Sequence, residues 1–285
     1  MEILRTVAEL RQWSREAHKK GGNAVGPMVG LVPTMGALHA GHASLIRASH
    51  ASCGFTAVSI FVNPTQFGPH EDFARYPRTF DADCALAETE GADVIFAPRV
   101  EELYPAGAST LVDVEGLGNR LDGQSRPGHF RGVATIVAKL FIAAEPDRAF
   151  FGQKDAAQIA VIRRMTTDLR LATEIVVCPT VREPDGLAMS SRNIYLSPTE
   201  RAQALTLSRA IHHVESLAAA GQRNSATLIA AAQKIFATEP AVRVDYVALV
   251  DWATLEPLEI AVPGSLFAVA ASVGATRLID NTILS

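Results

Sequence analysis

Between Pro27 and Pro33 the chain carries a short apolar run, Met28 to Val32, and from Ala43 to Ala51 its apolar residues fall at helical spacing. That order reads as a buried strand, a tight turn and a helix. The connecting residues are Thr34-Met35-Gly36-Ala37-Leu38-His39-Ala40-Gly41-His42, so two histidines three residues apart sit where the strand gives way to the helix. A helix start presents backbone N–H groups without intrahelical acceptors and the positive end of the backbone dipole, which suits a phosphate. Gly36 and Gly41 let the main chain approach such a ligand. A His-x-x-His pair alone also occurs at ordinary exposed turns. This one is singled out by its frame and by a second segment, Met189-Ser190-Ser191-Arg192, where two hydroxyls and a guanidinium supply donors for phosphate oxygens.

Up to about residue 178 the same alternation recurs, with short apolar runs at Ala57–Val62, Val94–Phe96, Ala149–Phe151 and Ile175–Cys178 separated by helical patterns. This is the pattern of an α/β fold with a Rossmann-like parallel sheet. Polar loops follow two of the runs: Asn63-Pro64-Thr65-Gln66-Phe67-Gly68, and Gly152-Gln153-Lys154-Asp155. Open α/β sheets bind ligands at the carboxyl ends of their strands, so these loops are expected in the site. From Ser197-Pro198-Thr199-Glu200 the pattern changes to a helix start with cap, proline and glutamate. Two alanine-rich helices, 201–219 and 226–237, and strands at 242–250, 266–273 and 276–279 then predict a smaller α+β domain. The division falls at residues 1–179 and 180–285.

With 285 residues, 48% hydrophobic content and a formal charge of −4, the chain has the composition of a globular protein large enough for two cores. No apolar run reaches 18 residues, and Met1-Glu2-Ile3-Leu4-Arg5 lacks the start of a signal peptide; the expectation is a cytoplasmic protein without membrane contact. Cys53, Cys84 and Cys178 fit neither a disulfide framework nor a zinc site and read as core thiols. The mild acidity and lack of a Lys/Arg run predict no nucleic-acid partner and favour small anionic ligands.

Lys154 and Gln158, four apart, share a helix face and place a cation beside an amide. Gln66 follows the Asn63-Pro64 turn signal. Asp81 and Asp83 open a helix, where carboxylates cap or, with oxygen ligands, hold Mg²⁺. Arg126-Pro127-Gly128-His129-Phe130-Arg131 is a polar loop before the helical run Val133–Ile142. No P-loop, no Gly-x-Gly-x-x-Gly after the first strand and no Gly-x-Ser-x-Gly elbow is present, which leaves nucleotide binding at the histidine turn.

Five segments in order carry a resemblance: Pro33-Thr34-Met35-Gly36-Ala37-Leu38-His39-x-Gly41-His42; Phe61-Val62-Asn63-Pro64-x-Gln66-Phe67-Gly68; Tyr76-Pro77-Arg78-Thr79; Phe150-Phe151-Gly152-x-Lys154-Asp155; and Asp185-Gly186-Leu187-Ala188-Met189-Ser190-Ser191-Arg192-Asn193. Together they resemble the pantothenate synthetase (pantoate–β-alanine ligase) family of the nucleotidyltransferase superfamily. The resemblance implies that pantoate attacks the α-phosphate of ATP to give pantoyl adenylate and pyrophosphate, and that the β-alanine amine then displaces AMP. It implies a catalytic set of His42, His39, Lys154, Ser190, Ser191 and Arg192. ATP would be bound by Met35, Gly36, Ala37, Leu38, His39, Ala40, Gly41 and His42, by Gly152, Gln153, Lys154 and Asp155, and by Val181 and Met189 to Arg192. Pantoate would meet Gln66, Gln158 and Met35, and β-alanine would meet Gln66, His129 and Arg126. ATP is a substrate, Mg²⁺ its expected companion with Asp83 as the metal candidate, and a homodimer the expected state. The C-terminal domain is expected to act as a lid that keeps water from the adenylate.

Three departures from the family pattern stand out. Gln153 replaces a glutamate, with Ala156-Ala157 in place of an aromatic residue and a glutamine; Thr65 replaces a methionine and is expected to make the pantoate pocket slightly more polar; and Ala82 interrupts the acidic cluster that follows the Tyr76-Pro77-Arg78 motif, which leaves Asp83 a weaker metal candidate. The rival readings are another adenylyl or cytidylyl transferase and a nucleotide-binding module without catalysis.

Overall fold

The computed structural model describes residues 1–20, 26–69 and 71–285. The chain folds as two compact units: Met1–Asn119, Arg126–Gly152 and Val161–Cys178 form the first, and Arg120–Ser125, Gln153–Ala160 and Pro179–Ser285 the second. In chain order the elements are β1 (Glu2–Leu4), α1 (Val7–Lys19), β2 (Val29–Thr34), α2 (Ala40–Ser52), β3 (Phe55–Ile60), α3 (Phe80–Thr89), β4 (Val94–Phe96), α4 (Val100–Leu103), α5 (Asp122–Ser125), α6 (His129–Ala144), β5 (Arg148–Gly152), α7 (Ala156–Asp168) and β6 (Glu174–Cys178). They continue with α8 (Pro198–Ala219), α9 (Ser225–Ala237), β7 (Val242–Val250), β8 (Leu266–Val273) and β9 (Thr276–Ile283).

The first unit is an α/β layer built on a parallel sheet of order β1-β4-β3-β2-β5-β6. A parallel sheet with helices on its faces has to bury both sides of its central strands. Accordingly, Val29, Leu31 and Val32 of β2 and Ala57 and Val58 of β3 have no accessible surface. Each of the valine and leucine side chains contributes about 1.5–3 kcal/mol relative to exposure. The strand order reverses direction between β2 and β5, and the turns that leave those two strands are the histidine turn and the Gly152–Asp155 loop, both of which the sequence places in the site. Such a reversal opens a crevice at the carboxyl ends of the strands. β1 has no signature in the sequence, because three residues are too few for a period to show; it pairs with β4 through Glu2–Val94, Ile3–Ile95 and Leu4–Phe96.

In the second unit β7, β8 and β9 form an antiparallel sheet with β8 in the middle. Leu207, Ile211 and Val214 of α8 and Leu228 and Phe236 of α9 join Phe267, Val269 and Val273 of β8 in one core. The start of α8 is the capping box expected from Ser197 and Glu200: Glu200 N–H donates to the Ser197 hydroxyl, and Ser197 N–H donates to the Glu200 carboxylate. β9 runs four residues past the apolar pattern of 276–279. The extension includes Asp280 and Asn281, which are 2% and 4% exposed, and buried polar residues break the alternation by which a strand is read.

Candidate active site

The turn after β2 is held in two ways. At its end His39 is the N-cap of α2, and the two histidines cap each other's backbone: Gly41 N–H donates to His39 Nδ1 at 3.1 Å, and His39 N–H donates to His42 Nδ1 at 3.3 Å. A ring nitrogen that accepts a backbone N–H carries no proton, so both neutral imidazoles have theirs on Nε2. The rings lie 4.2 Å apart between centroids. Gly41 is required for this, since a Cβ there would stand 2.8 Å from His39 Cε1.

Earlier in the turn Gly36 and Ala37 both adopt positive φ, +84° and +50°. For alanine that conformation costs roughly 1–2 kcal/mol. Asp83 of α3 offsets the cost: its carboxylate accepts from Ala37 N–H at 3.0 Å and Leu38 N–H at 2.8 Å, and from the Thr79 hydroxyl at 3.0 Å. Gly36 N–H is taken by the Thr34 hydroxyl, which in turn donates to Ser59 O.

The turn after β3 is organised by Asn63, a buried residue whose amide is fully used. Its Nδ2 donates to Gly132 O at 3.1 Å and to Gln66 Oε1 at 3.0 Å, and its Oδ1 accepts from the Thr65 and Tyr104 hydroxyls. Because Gln66 turns its oxygen toward Asn63, its amide nitrogen is the end turned away from Asn63. At the N-terminus of α6, Arg126 lies in a two-pronged pair with Glu71, at 2.7 Å and 2.6 Å, and donates to His129 Nε2 at 2.9 Å. His129 Nδ1 lies 2.8 Å from Gln66 O; a carbonyl only accepts, so this ring carries its proton on Nδ1, the opposite tautomer to His39 and His42. Burial pushes the Glu71 carboxyl up, but the hydrogen bonds and charge of Arg126 outweigh it and hold the group below the ordinary carboxylate range.

β5 leads into a 3₁₀ turn of the second unit, Gln153–Asp155, that carries Lys154 with its ammonium 3.9 Å from the Asp155 carboxylate. Gln158 lies one turn on, in the first turn of α7. Val181 and Met189 face each other across a hairpin closed by Met189 N–H to Val181 O at 2.9 Å and by the bridge between Arg182 and Ala188. The hairpin delivers Ser190, whose hydroxyl accepts from Arg192 N–H at 3.3 Å and starts the 3₁₀ turn Ser191–Tyr195. Asn193 braces it by donating to Glu183 at 2.6 Å and to Ala188 O at 3.1 Å.

The family model described as Pantoate-beta-alanine ligase matches residues 2–283. The chain belongs to the pantoate–β-alanine ligase family. Its relatives include the pantothenate synthetase of Acidobacterium capsulatum, 60% identical over 284 residues that cover 99% of this chain and 94% of the relative. That of Koribacter versatilis is 52% identical over 284 residues, covering 100% and 96%. Among solved structures, the pantothenate synthetase of Thermus thermophilus matches with a TM-score of 0.92 at 46% identity, covering 99% of both chains. The Francisella tularensis pantoate-beta-alanine ligase, complexed with Beta-gamma ATP and β-alanine, matches with a TM-score of 0.80 at 30% identity, covering 99% of this chain and 97% of that one.

Within this family fold the site residues read from sequence divide between the units. The first holds Met35 to His42, Gln66, Asp83, Arg126 and His129 together with Gly152, and the second holds Gln153 to Gln158, Val181 and Met189 to Arg192. Thr65 does not act as its replacement of methionine suggests: its hydroxyl donates to Asn63 and lies 3.0 Å from the Tyr104 hydroxyl, so its polarity is spent inside the turn. Ala156 and Ala157, where the family carries larger residues, are buried, and the Trp252 indole donates to Ala156 O at 2.9 Å. Asn281 and Gly132 were not legible as site residues, since neither lies in a motif; their effects on Lys154 and on the Asn63–Gln66 turn arise only in three dimensions. The cysteines are free thiols, all pushed up by burial; Cys53 and Cys178 are core groups as read, whereas Cys84 is only partly buried.

Proposed function

We infer that this chain condenses pantoate with β-alanine, using ATP and passing through pantoyl adenylate, with the histidine turn after β2 as its phosphate site. The enzyme is a ligase: the pantoate carboxylate oxygen attacks the α-phosphorus and pyrophosphate leaves, then the β-alanine nitrogen attacks the acyl carbon and AMP leaves with the carboxylate oxygen. The observation that carries the reading is the reciprocal capping of His39 and His42, which forces both Nε2 atoms to be donors at a helix start. Such fixed donors stabilise charge on transferring phosphoryl oxygens without reorganising during the reaction.

In this reading the loop from Met35 to His42, with Gly152 to Asp155, Val181 and Met189, binds ATP, Val181 lying against the adenine. Lys154, Ser190, Ser191 and Arg192 serve the phosphates and the departing pyrophosphate, and His42 acts as proton donor there. Gln66, Gln158 and Met35 receive pantoate, the amides suiting its hydroxyls and carboxylate because they both donate and accept. Gln66 and His129 receive β-alanine. Arg126, whose charge is already matched by Glu71, keeps the His129 ring and the Gln66 carbonyl in place.

The donor set fits a Mg²⁺ that arrives on the nucleotide. Asp83 spends its carboxylate on backbone N–H groups, and among the described residues no group of three or more His, Cys, Asp or Glu side chains is arranged to hold a metal. When bound, Mg²⁺ neutralises charge on the phosphate oxygens. A homodimer in the cytoplasm, without nucleic-acid or membrane partners, completes the proposal and is tested by sedimentation and cell fractionation.

The test is to incubate the purified protein with ATP, Mg²⁺ and pantoate, with and without β-alanine, and to follow pyrophosphate and AMP separately. AMP and pantothenate that accumulate only with β-alanine bear the reading out. Steady pyrophosphate release without an amine, or no product at all, overturns it.

A further inference from the structure

Asp280 and Asn281 are consecutive buried residues of β9, and burying polar groups is unfavourable unless each is paired. The Asn281 side-chain amide donates to Gln153 O at 3.0 Å and to Lys154 O at 2.8 Å, while its oxygen lies 3.4 Å from the Gln153 side-chain nitrogen. Those two carbonyls belong to the peptide planes on either side of the Lys154 Cα. A peptide plane moves as a unit, so pinning both fixes φ and ψ of Lys154 and with them the direction of its Cα–Cβ bond. The ammonium sits on a flexible four-carbon stem, and fixing the base of that stem narrows the volume the charge explores.

The neighbouring residue does the matching task for the other phosphate segment. Asp280 takes Arg182 in a two-pronged pair at 2.6 Å and 2.9 Å, and Arg182 also donates to Gly186 O, within the hairpin that delivers Ser190 to Arg192. Asn281 N–H donates to the Asp280 carboxylate at 2.8 Å, which links the two anchors. β9 packs against both turns, Gln153–Asp155 and Ser191–Tyr195.

We propose that Asn281 is a positioning residue of the ligase, acting through Lys154 on the adenylate-forming step. The assignment rests on the functional reading above, in which Lys154 serves the ATP phosphates. Since misplacing a group by about 1 Å costs on the order of a hundredfold, Asn281→Ala slows pyrophosphate formation from ATP and pantoate by about tenfold to a hundredfold. Its melting temperature is measured alongside to confirm folding. The second step, from supplied pantoyl adenylate and β-alanine, stays within about twofold, because Lys154 acts on pyrophosphate departure. In a Lys154→Ala background the added Asn281→Ala change costs less than about twofold, the non-additivity expected of residues that act as one unit. Asn281→Asp keeps the side-chain volume and removes both donors; it is read by the same ratio of half-reactions if the alanine variant does not fold. Trp252→Phe, which removes the indole bond to Ala156 O and leaves the Asn281 bonds to Gln153 O and Lys154 O in place, is the comparison and keeps both steps within about threefold of the unmodified protein.

Equal loss in both half-reactions, an unchanged first step, or full additivity with Lys154→Ala overturns the assignment while leaving the ligase intact. An unmodified chain that makes no pantothenate overturns the functional reading, and this assignment falls with it.

Discussion

Two turns at the ends of parallel strands, one after β2 and one after β5, are each pinned by a buried polar side chain from another element, and the two pins have opposite chemistry. Asp83 is an acceptor that gathers the N–H groups of Ala37 and Leu38. Asn281 is a donor that gathers the carbonyls of Gln153 and Lys154. The difference follows from which backbone groups each turn presents to its pin. The first breaks into left-handed conformations just before a helix start, where N–H groups are in surplus. The second is a 3₁₀ turn that turns the carbonyls of Gln153 and Lys154 toward the Asn281 amide. The first turn also closes on itself through the mutual capping of His39 and His42, whereas the second depends on a residue 127 positions away in the chain.

If pinning by Asp83 is what maintains the first turn, Asp83→Ala has the largest effect. It strands two N–H groups and a hydroxyl beside a strained alanine, and at about 1–3 kcal/mol for an unpaired group a loss of roughly 3 kcal/mol is expected in denaturant unfolding. Asp83→Asn, which keeps one acceptor oxygen, loses about half as much by the same reasoning. Equal stability of the two variants and the unmodified chain would break the comparison.

The turn after β3 shows a third solution, close backbone approach. A Cβ on Gly132 would stand 2.3 Å from Thr65 O, and backbone atoms give way less easily than side chains. Gly132→Ala is expected to lose about 1–3 kcal/mol by overpacking and to raise the KM for pantoate through displacement of Gln66. An unchanged KM would show that the turn has slack.

The smallest effect concerns Glu71, whose folded carboxyl titrates below its ordinary value of 4.5. A depressed carboxylate gives stabilisation that is complete above the unfolded value and lost as pH falls through the folded one. The KM for β-alanine is therefore expected to stay flat from neutral pH to about 5 and to rise only below about 4.5. Glu71→Gln removes that acid limb; an acid limb that persists in the variant assigns it to another group.

These examples also show how far the chain could be read before its structure. The strand–turn–helix at 28–51 was legible because its signals are local: an apolar run between prolines, glycines and helical spacing. The double role of the two histidines as each other's caps was not read from the sequence, although the contacts that make it are local. Asp83 was visible only as a carboxylate at a helix start. It and Asp81 lie two residues apart, hence on opposite sides of α3, and sequence does not say that Asp83 faces inward while Asp81 is exposed. Asn281 gave no signal at all, since a buried polar residue inside a strand looks like the strand's end. Gly132 sits in a helical run where glycine reads as a weakness, yet its missing side chain is what admits the Asn63–Gln66 turn. What sequence withheld was the set of long-range partners, which exist only once the chain is folded.

The most direct test of the account is His42→Ala, measured for ATP affinity and for the rate of pyrophosphate formation from ATP and pantoate. A fixed Nε2–H donor that acts on the transferring phosphoryl group should, when removed, lower the rate by about 10²–10⁴-fold with ATP affinity nearly unchanged. An unchanged rate, or a loss explained entirely by weaker ATP binding, would contradict the claim that the histidine turn carries the chemistry.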